Sequence, residues 1–208
     1  MDIEAFILVG GRSVRFGRDK ATFQFEGATL AERTAETIKI ALSPTYTRLV
    51  AANDSQLSGP SPLASGLPVV FDLSDGRGPA GGLQAALAYA RTEWALVLGC
   101  DFPFISIELL RCLATLITED FDAVAPVQPD GQTQPLCTFY RVKPCLNVIN
   151  DIFDQGRPAP ALKYILDQVR TRFVRFEELA DLPNSANLFL NLNTPEDFKN
   201  AVKILSGT

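Results

Sequence analysis

Short apolar runs alternate with stretches of helical pattern along this chain of 208 residues. The first run, residues 5–9, is apolar throughout, as expected for a strand buried on both faces of a sheet. Further runs cover residues 48–52, 68–71 and 94–99, with a helical pattern between most of them. This alternation predicts a three-layer, Rossmann-like α/β fold with a mostly parallel, twisted sheet.

Local signals place the helices between these strands. Thr29 and Glu32 have the spacing of a capping box, which predicts a helix reaching Leu42, and Thr194 before Pro195 predicts the start of the last helix. Other helices are predicted over residues 83–91, 107–117, 143–153 and 159–169, and other short strands over 22–25, 121–126, 134–141, 173–176 and 189–190. Since neither a repeat nor a long linker interrupts the pattern, we expect one domain over residues 1–208.

The composition argues against several classes of protein. The net charge of −5 provides no general basic field for nucleic acid, and no apolar run approaches the roughly 20 residues of a membrane-spanning helix. Asp2 and Glu4 stand where a signal peptide would carry basic residues, and the four cysteines lack C-x-x-C spacing. We therefore expect a cytoplasmic protein with buried free thiols and neither nucleic acid nor a membrane as partner.

The chain contains no histidine. This excludes Ser-His-Asp and Cys-His catalytic groups and zinc sites with histidine ligands. Any chemistry must depend on carboxylates, lysine, arginine and a hard metal ion.

The loop after the first apolar run combines glycine with positive charge. Gly10 and Gly11 allow a close backbone approach to a ligand, and basic side chains follow at Arg12, Arg15, Arg18 and Lys20. The segment fits neither G-x-x-x-x-G-K-[ST] nor G-x-G-x-x-G. It predicts a phosphate site, with a plain strand-to-loop turn as the alternative.

Polar residues follow the next three apolar runs as well. Asn53, Asp72 and Asp101 come after the second, third and fourth runs. Ligands of open α/β sheets bind outside the carboxyl ends of the strands, although each of these residues alone is also a common turn former. Asp101 is a candidate Mg²⁺ ligand, because Mg²⁺ binds one or two carboxylates together with substrate phosphates.

The first loop resembles the signature of nucleoside-triphosphate transferases, L-A-G-G-x(n)-R-M-G-x-D-K, and within that superfamily the molybdenum cofactor guanylyltransferase family. The matching residues are Leu8-Val9-Gly10-Gly11, Arg15-Phe16-Gly17 and Asp19-Lys20. Val9 and Phe16 depart from the usual alanine and methionine, while the glycines, the arginine and the lysine are kept.

Later segments extend the resemblance over most of the chain. Cys100-Asp101-Phe102-Pro103 matches C-D-x-P, and residues 191–197 match N-x-N-T-P-E-[DE]. Gly78-Pro79 with Gly81-Gly82 resembles a loop near the nucleotide base. The resemblance further implies that Gln134, Arg157, Asn191 and Asn193 face the acceptor substrate, although Arg157 also reads as a solvated charge.

The resemblance implies transfer of GMP from GTP to the terminal phosphate of a molybdopterin-type cofactor, with Mg²⁺ and release of pyrophosphate. Transient contact with other cofactor-biosynthesis proteins or molybdoenzyme apoproteins would follow. Lys20, Arg15 and Asp101 would be catalytic, with Asp101 on the metal. Nucleotide contacts would come from Leu8, Val9, Gly10, Gly11, Lys20, Asn53, Asp72, Gly78, Gly81 and Asp101.

Three alternatives stay open. A cytidylyltransferase could act on molybdopterin or on a sugar or polyol phosphate, since base choice depends on loop shape. The chain could also be a nucleotide-binding module without catalysis, which the presence of both Lys20 and Asp101 disfavours. The third alternative is an α/β domain without a nucleotide site.

Overall fold

The computed structural model describes residues 2–9, 24–25, 27–53 and 66–206. Its strands are β1 (Ile3–Leu8), β2 (Gln24–Phe25), β3 (Ala28–Thr29), β4 (Tyr46–Ala51), β5 (Val69–Phe71), β6 (Trp94–Gly99), β7 (Ala123–Pro126), β8 (Cys137–Arg141) and β9 (Thr171–Val174). Its helices are α1 (Leu30–Leu42), α2 (Gly78–Tyr89), α3 (Ile107–Thr115), α4 (Val142–Asp154), α5 (Leu162–Asp167), α6 (Phe176–Leu179) and α7 (Pro195–Ser206).

Within the described part of the chain, seven strands form one sheet in the order β5-β4-β1-β6-β8-β7-β9, and β2 pairs with β3 in a separate hairpin. Strands β5, β4, β1 and β6 run parallel, as do β7 and β9. Strand β8 is antiparallel to both of its neighbours. The expectation of a mostly parallel α/β sheet is confirmed.

Helices cover both faces of this sheet. Along β1, Ala5 and Ile7 belong to an apolar core with α1 and α3, whereas Phe6 and Leu8 belong to a second core with α2 and α4. Strand β6 divides its side chains between the same two cores. Neither face of these two strands meets water. This explains why both strands are buried at every position and why Glu4 of β1 is the only polar residue in them.

The predicted start of α1 is confirmed. Glu32 N–H donates to Thr29 Oγ1 at 3.2 Å, and Glu32 Oε2 accepts the Thr29 N–H at 2.7 Å, which completes the capping box. At the other end, the Arg111 guanidinium from α3 donates to the carbonyl oxygens of Ile40 and Ala41. Both ends of α1 are thus hydrogen-bonded, and α1 and α3 are held together on one face of the sheet.

The predicted start of α2 at Leu83 is wrong. The helix begins at Gly78, so Gly78, Gly81 and Gly82 belong to its first turns and not to a loop. Pro79 suits this position because the first N–H groups of a helix have no acceptor within the helix, so a residue without an N–H loses no hydrogen bond there. The glycines look like loop formers in sequence, but the structure uses two of them for close packing.

Boundaries in the last third also differ from the predictions. Residues 189–190 are not a strand; they follow a short 3-10 turn, Ser185–Asn187, and Phe189 packs in the core. Residues 173–176 split, because β9 ends at Val174 and Glu178 accepts the Arg175 N–H at 2.9 Å to start α6. Helix α5 is confined to Leu162–Asp167 since Pro158 and Pro160 precede it.

A carboxylate and a guanidinium are buried at the amino end of β1. Glu4 is fully buried, and its side chain accepts hydrogen bonds from the Arg48 guanidinium of β4 and from the Arg91 N–H at 3.3 Å. Arg48 also lies over the ring of Tyr46, 4.8 Å from its centroid. The pair ties β1 to β4 and to the chain that leaves α2.

A second ion pair joins the far edge of the sheet. Asp122, before β7, accepts hydrogen bonds from Arg170 Nε and a terminal nitrogen, both at 2.8 Å. This guanidinium holds the pKa of the Asp122 carboxyl below its usual value.

Among the described residues, no helix combines the length and apolar character that crossing a bilayer requires.

Replacing Arg48 by Leu should strongly destabilise the fold. The substitution leaves the Glu4 carboxylate buried without its cation, which typically costs about 3 kcal/mol or more. Urea unfolding at neutral pH measures the change. Lys39→Ala is the matched control, because the exposed Lys39–Glu36 pair should contribute under about 0.5 kcal/mol. Equal stabilities of the two variants would contradict a structural role for the buried pair.

Candidate active site

Four parallel strands end side by side at one edge of the main sheet. Their order is β5-β4-β1-β6, so their carboxyl ends meet there. Asp72 directly follows β5, while Asn53 and Asp101 each lie two residues beyond β4 and β6. The structure thus brings these three sequence-predicted residues to one sheet edge, where α/β proteins bind ligands.

Leu8 and Val9 lead the chain out of β1 in the centre of this edge. The Leu8 carbonyl accepts the Cys100 N–H at 3.2 Å, and the Val9 N–H donates to the Val50 carbonyl at 2.9 Å. Both side chains are buried, so these residues fix the exit of the first loop between β4 and β6. The remaining predicted residues of that loop, Gly10, Gly11, Arg15 and Lys20, lie outside the described residues.

Asp101 occupies space that a glycine leaves open. A Cβ atom at Gly99 would lie 2.7 Å from Asp101 Oδ1 and 3.3 Å from Phe102 Cε2, which is too close for unstrained packing. Any larger residue at position 99 would therefore displace the carboxylate. Sequence reasoning did not single out Gly99; the available signal was a glycine ending an otherwise bulky apolar strand.

A cavity of about 510 Å³ opens beside Asp101. Its walls are formed by residues 131–136 and 160–163, together with Pro79, Asp101, Phe102 and Asn191. The charged residues among them are Asp101 and Lys163, and Lys163 Nζ lies 2.7 Å from Asp167 within α5. A cavity of this size suits a small organic ligand, and sequence reasoning did not predict the wall at 160–163.

Two of the predicted acceptor-binding residues line this cavity. Asn191 is held beside Asp101, because the next residue, Leu192, donates its N–H to the Asp101 carbonyl at 2.9 Å. Within the described residues, the buried Asn191 Oδ1 has no hydrogen-bond partner. Gln134 also lines the cavity, and its backbone is held by hydrogen bonds with Pro126, Cys137 and Thr138. Both residues could therefore offer amide groups to a ligand.

The other two predicted acceptor residues do not line it. Asn193 is exposed, and its N–H donates to Asp197 Oδ2 at 2.8 Å in the cap of α7. Arg157 is exposed as well, and its side chain donates to Gln155 Oε1 at 2.8 Å. Gly156, with φ of +65°, terminates α4 and turns the chain away from the helix.

Asp72 lies against the first turns of α2. A Cβ at Gly81 would stand 3.0 Å from Asp72 Oδ2 and 2.8 Å from Arg77 Cβ, while one at Gly82 would stand 3.0 Å from Leu8 Cδ2. The two glycines therefore let α2 approach both β1 and the Asp72 carboxylate. Partial burial, with repulsion from Asp75 as a smaller cause, raises the pKa of Asp72 to about 6.

The described residues contain no cluster of three or more carboxylates or cysteines suited to hold a metal ion on its own. Asp101 could bind a cation only together with ligands from a substrate or from elsewhere in the chain. The four cysteines are free thiols; Cys100, Cys137 and Cys145 are buried, as predicted, whereas Cys112 is only half-buried. Burial raises the pKa of Cys137 and Cys145 to about 12, which keeps these two thiols protonated and unreactive at neutral pH.

Replacing Asp72 by Asn should stabilise the free protein at neutral pH. The folded-state pKa of about 6 lies above the ordinary 3.8, so folding favours the protonated form and its stability contribution is lost as pH rises through 6. We expect a gain of about 1 kcal/mol at pH 7.5, reduced because water screens a half-buried group. The gain should vanish near pH 4.

Chemical unfolding at pH 4.0, 6.0 and 7.5 measures this dependence. Asp75→Asn serves as the matched variant, since it removes only the smaller, repulsive cause and should give a smaller gain of the same sign. An Asp72→Asn gain that does not change with pH would show that folding does not raise the pKa of Asp72.

Comparison with known proteins agrees with this architecture. Residues 5–169 match the model of the family described as "MobA-like NTP transferase domain". A protein of Bacillus cereus named probable molybdenum cofactor guanylyltransferase is 28% identical over 202 residues, which cover 96% of each chain.

Two solved structures share the fold. Molybdopterin-guanine dinucleotide biosynthesis protein A from Archaeoglobus fulgidus superposes with a TM-score of 0.75 at 25% identity, covering 99% of this chain and 100% of that one. The 2-C-methyl-D-erythritol 4-phosphate cytidylyltransferase from Thermus thermophilus has a TM-score of 0.68 at 16% identity, with 100% coverage of both chains, and shows likeness of fold alone. Since the family match spans more than three quarters of the sequence, this chain belongs to the MobA-like NTP transferase domain family.

Proposed function

We propose that this chain transfers GMP from GTP to the terminal phosphate of a molybdopterin-type cofactor and releases pyrophosphate. The observation that carries the proposal is the position of Asp101, at the mouth of a 510 Å³ cavity and at the edge where four parallel strands end. Membership of a nucleotidyltransferase family and the name of the Bacillus cereus relative support the same reaction.

The donor nucleotide belongs on the β5-β4-β1 side of Asp101. Asn53 and Asp72 end β4 and β5 there, and the Gly81–Gly82 pair lets α2 come close to them. Their oxygens can accept hydrogen bonds from a base or a ribose. Gly10, Gly11, Arg15 and Lys20 would bind the triphosphate, because their sequence combines glycines, which allow a close approach of the backbone, with positive charge.

The acceptor belongs in the cavity on the other side of Asp101. Gln134 and Asn191 present amide groups there, and the rest of the wall is largely apolar, from Pro79, Phe102, Pro135 and Leu136. A pterin ring is flat and carries donors and acceptors along its edge, so such walls and amides suit it. The acceptor phosphate would then point towards Asp101.

Asp101 fits a hard divalent cation such as Mg²⁺. Its carboxylate lies at the strand end, in space that is open because Gly99 has no side chain. In the described part of the chain, no cluster of carboxylates surrounds it. Mg²⁺ sites of this kind complete their coordination with phosphate oxygens and water. When bound, the ion would neutralise charge on the phosphates of the donor.

The reaction requires no protein base. An oxygen of the acceptor phosphate, already an anion, forms a bond to the α-phosphorus of GTP, and the bond from that phosphorus to the bridging oxygen of the β-phosphate breaks. Pyrophosphate leaves with the electron pair. The protein contributes by aligning the two phosphates and neutralising their charge, which a chain without histidine can do.

The second candidate is a cytidylyltransferase, because the choice of base depends on the shape of the loops around it; the Thermus thermophilus neighbour shows that this fold also occurs in a cytidylyltransferase. Pyrophosphate release with each of the four nucleoside triphosphates, in the presence of Mg²⁺ and molybdopterin, separates the two. A strong preference for CTP would replace the guanylyl proposal. Tight GTP binding without turnover would instead indicate a binding module.

Asp101→Asn should fold normally but lose most of its metal-dependent turnover. The amide keeps the size of the side chain but removes the charge that a cation needs, and loss of one such electrostatic contact typically costs about 10²-fold or more in rate. A magnesium titration of pyrophosphate release measures it. The exposed Asp151 of α4 provides the control Asp151→Asn. An unchanged magnesium dependence would place the metal elsewhere.

Gly99→Ala should reproduce much of this loss while Asp101 remains in the sequence. The added methyl group must displace Oδ1, from which it would stand only 2.7 Å away, and misplacing a reacting group by about 1 Å can cost about 10²-fold in rate. Steady-state turnover together with thermal melting measures the effect. A folded Gly99→Ala variant with wild-type turnover would show that the carboxylate position is not critical.

A further inference from the structure

Arg77 immediately precedes α2 and reaches across to the end of α4. Its guanidinium carbon lies 4.4 Å from the centroid of the Phe153 ring, and one terminal nitrogen donates to the Arg157 carbonyl at 3.0 Å. The contact therefore combines a stacked cation on an aromatic ring with a charge-assisted hydrogen bond. Such a pair of contacts fixes both the direction and the distance of its target.

Phe153 and Arg157, which Arg77 contacts, belong to a hydrogen-bonded turn at the end of α4. Gly156 takes φ of +65° and donates its N–H to the Phe153 carbonyl at 3.0 Å, and the Arg157 N–H donates to the Ile152 carbonyl at 3.3 Å. These bonds satisfy carbonyls at the end of α4 and leave the Arg157 carbonyl facing Arg77. Both backbone groups of Arg157 are thus held by hydrogen bonds.

The two segments joined by Arg77 both continue into the lining of the 510 Å³ cavity. Pro79, two residues after Arg77, belongs to one part of its wall, and Pro160 and Ala161, shortly after Arg157, belong to another part. The Arg77 Cβ also packs near Gly81, 2.8 Å from where a Cβ on that glycine would stand. One side chain consequently connects the first turn of α2 with the segment leading into α5.

We propose that Arg77 is a positioning residue that sets the separation of these two walls and thereby determines affinity for the acceptor. The inference rests on the proposed function, in which this cavity holds the acceptor. Arg77 acts through Phe153 and the Arg157 carbonyl, without touching the reacting atoms. Loss of its contacts should weaken acceptor binding and leave donor binding and the chemical step largely intact.

The test compares Arg77→Ala and Arg77→Lys with the wild type. Arg77→Ala should raise both the Kd and the KM for molybdopterin about tenfold, because loss of the hydrogen bond and the cation–π contact lowers the fraction of protein whose cavity walls have the separation that binds the acceptor. The Kd for GTP and kcat should change less than about threefold, within the effect of a minor contact. Arg77→Lys keeps the positive charge but lacks the planar group that stacks on Phe153. Its Kd for molybdopterin should therefore lie between the values of the wild type and of Arg77→Ala. Arg91→Ala, at the exposed other end of α2, is the matched control and should match the wild type.

Equilibrium dialysis gives both dissociation constants without requiring turnover. If the wild type binds molybdopterin and GTP but releases no pyrophosphate, the proposed function fails, and the dialysis result still decides the role of Arg77. Hydrogen exchange over residues 153–164 should accelerate in Arg77→Ala. An unchanged Kd for molybdopterin overturns the inference, and so does a uniform loss of GTP affinity, kcat and melting temperature, which indicates a general structural role.

Discussion

Strand β1 is buried along its whole length between two parallel neighbours, and the rest of the architecture depends on that position. Because neither of its faces meets water, helices pack on both faces, and its two edges pair with the parallel strands β4 and β6. The chain can leave it only at the carboxyl end of the sheet, where β4, β5 and β6 also end. Asn53, Asp72 and Asp101, which follow three of these strands, therefore come together there although they are far apart in sequence.

The site then follows from how closely its parts can approach. Gly99 leaves room for the Asp101 carboxylate, and Gly81 and Gly82 let α2 pack on Asp72 and Leu8. The Leu192 N–H joins the Asp101 carbonyl and carries Asn191 to the same cavity. Three glycines without side chains of their own thus determine where two carboxylates stand.

The apolar core strands and the polar residues at their ends could be predicted from sequence, because continuous apolar runs and turn residues are local signals. The capping box of α1 was predictable for the same reason, since Thr29 and Glu32 contact each other within one turn. The start of α2 was not, because Gly81 looks like a loop residue until Asp72 and Arg77 are placed beside it. The division between Asn191 and Asn193 also escaped sequence reasoning, since only tertiary contacts place one of them in the cavity and the other on the surface. Contacts between residues far apart in sequence, such as the Glu4–Arg48 ion pair and the Arg77–Phe153 cation–π contact, produce no periodic sequence pattern and could not be predicted.

The buried Glu4–Arg48 pair has a consequence for how this protein can change. It lies at the amino end of β1, and the four residue steps from Glu4 to Leu8 separate it from the ligand edge by roughly 13 Å. Substitutions that far apart usually contribute independently to free energy. Substitutions around Glu4 and Arg48 can therefore change the stability of the fold without changing the ligand edge. Substitutions at the ligand edge can in turn change binding without weakening the buried ion pair.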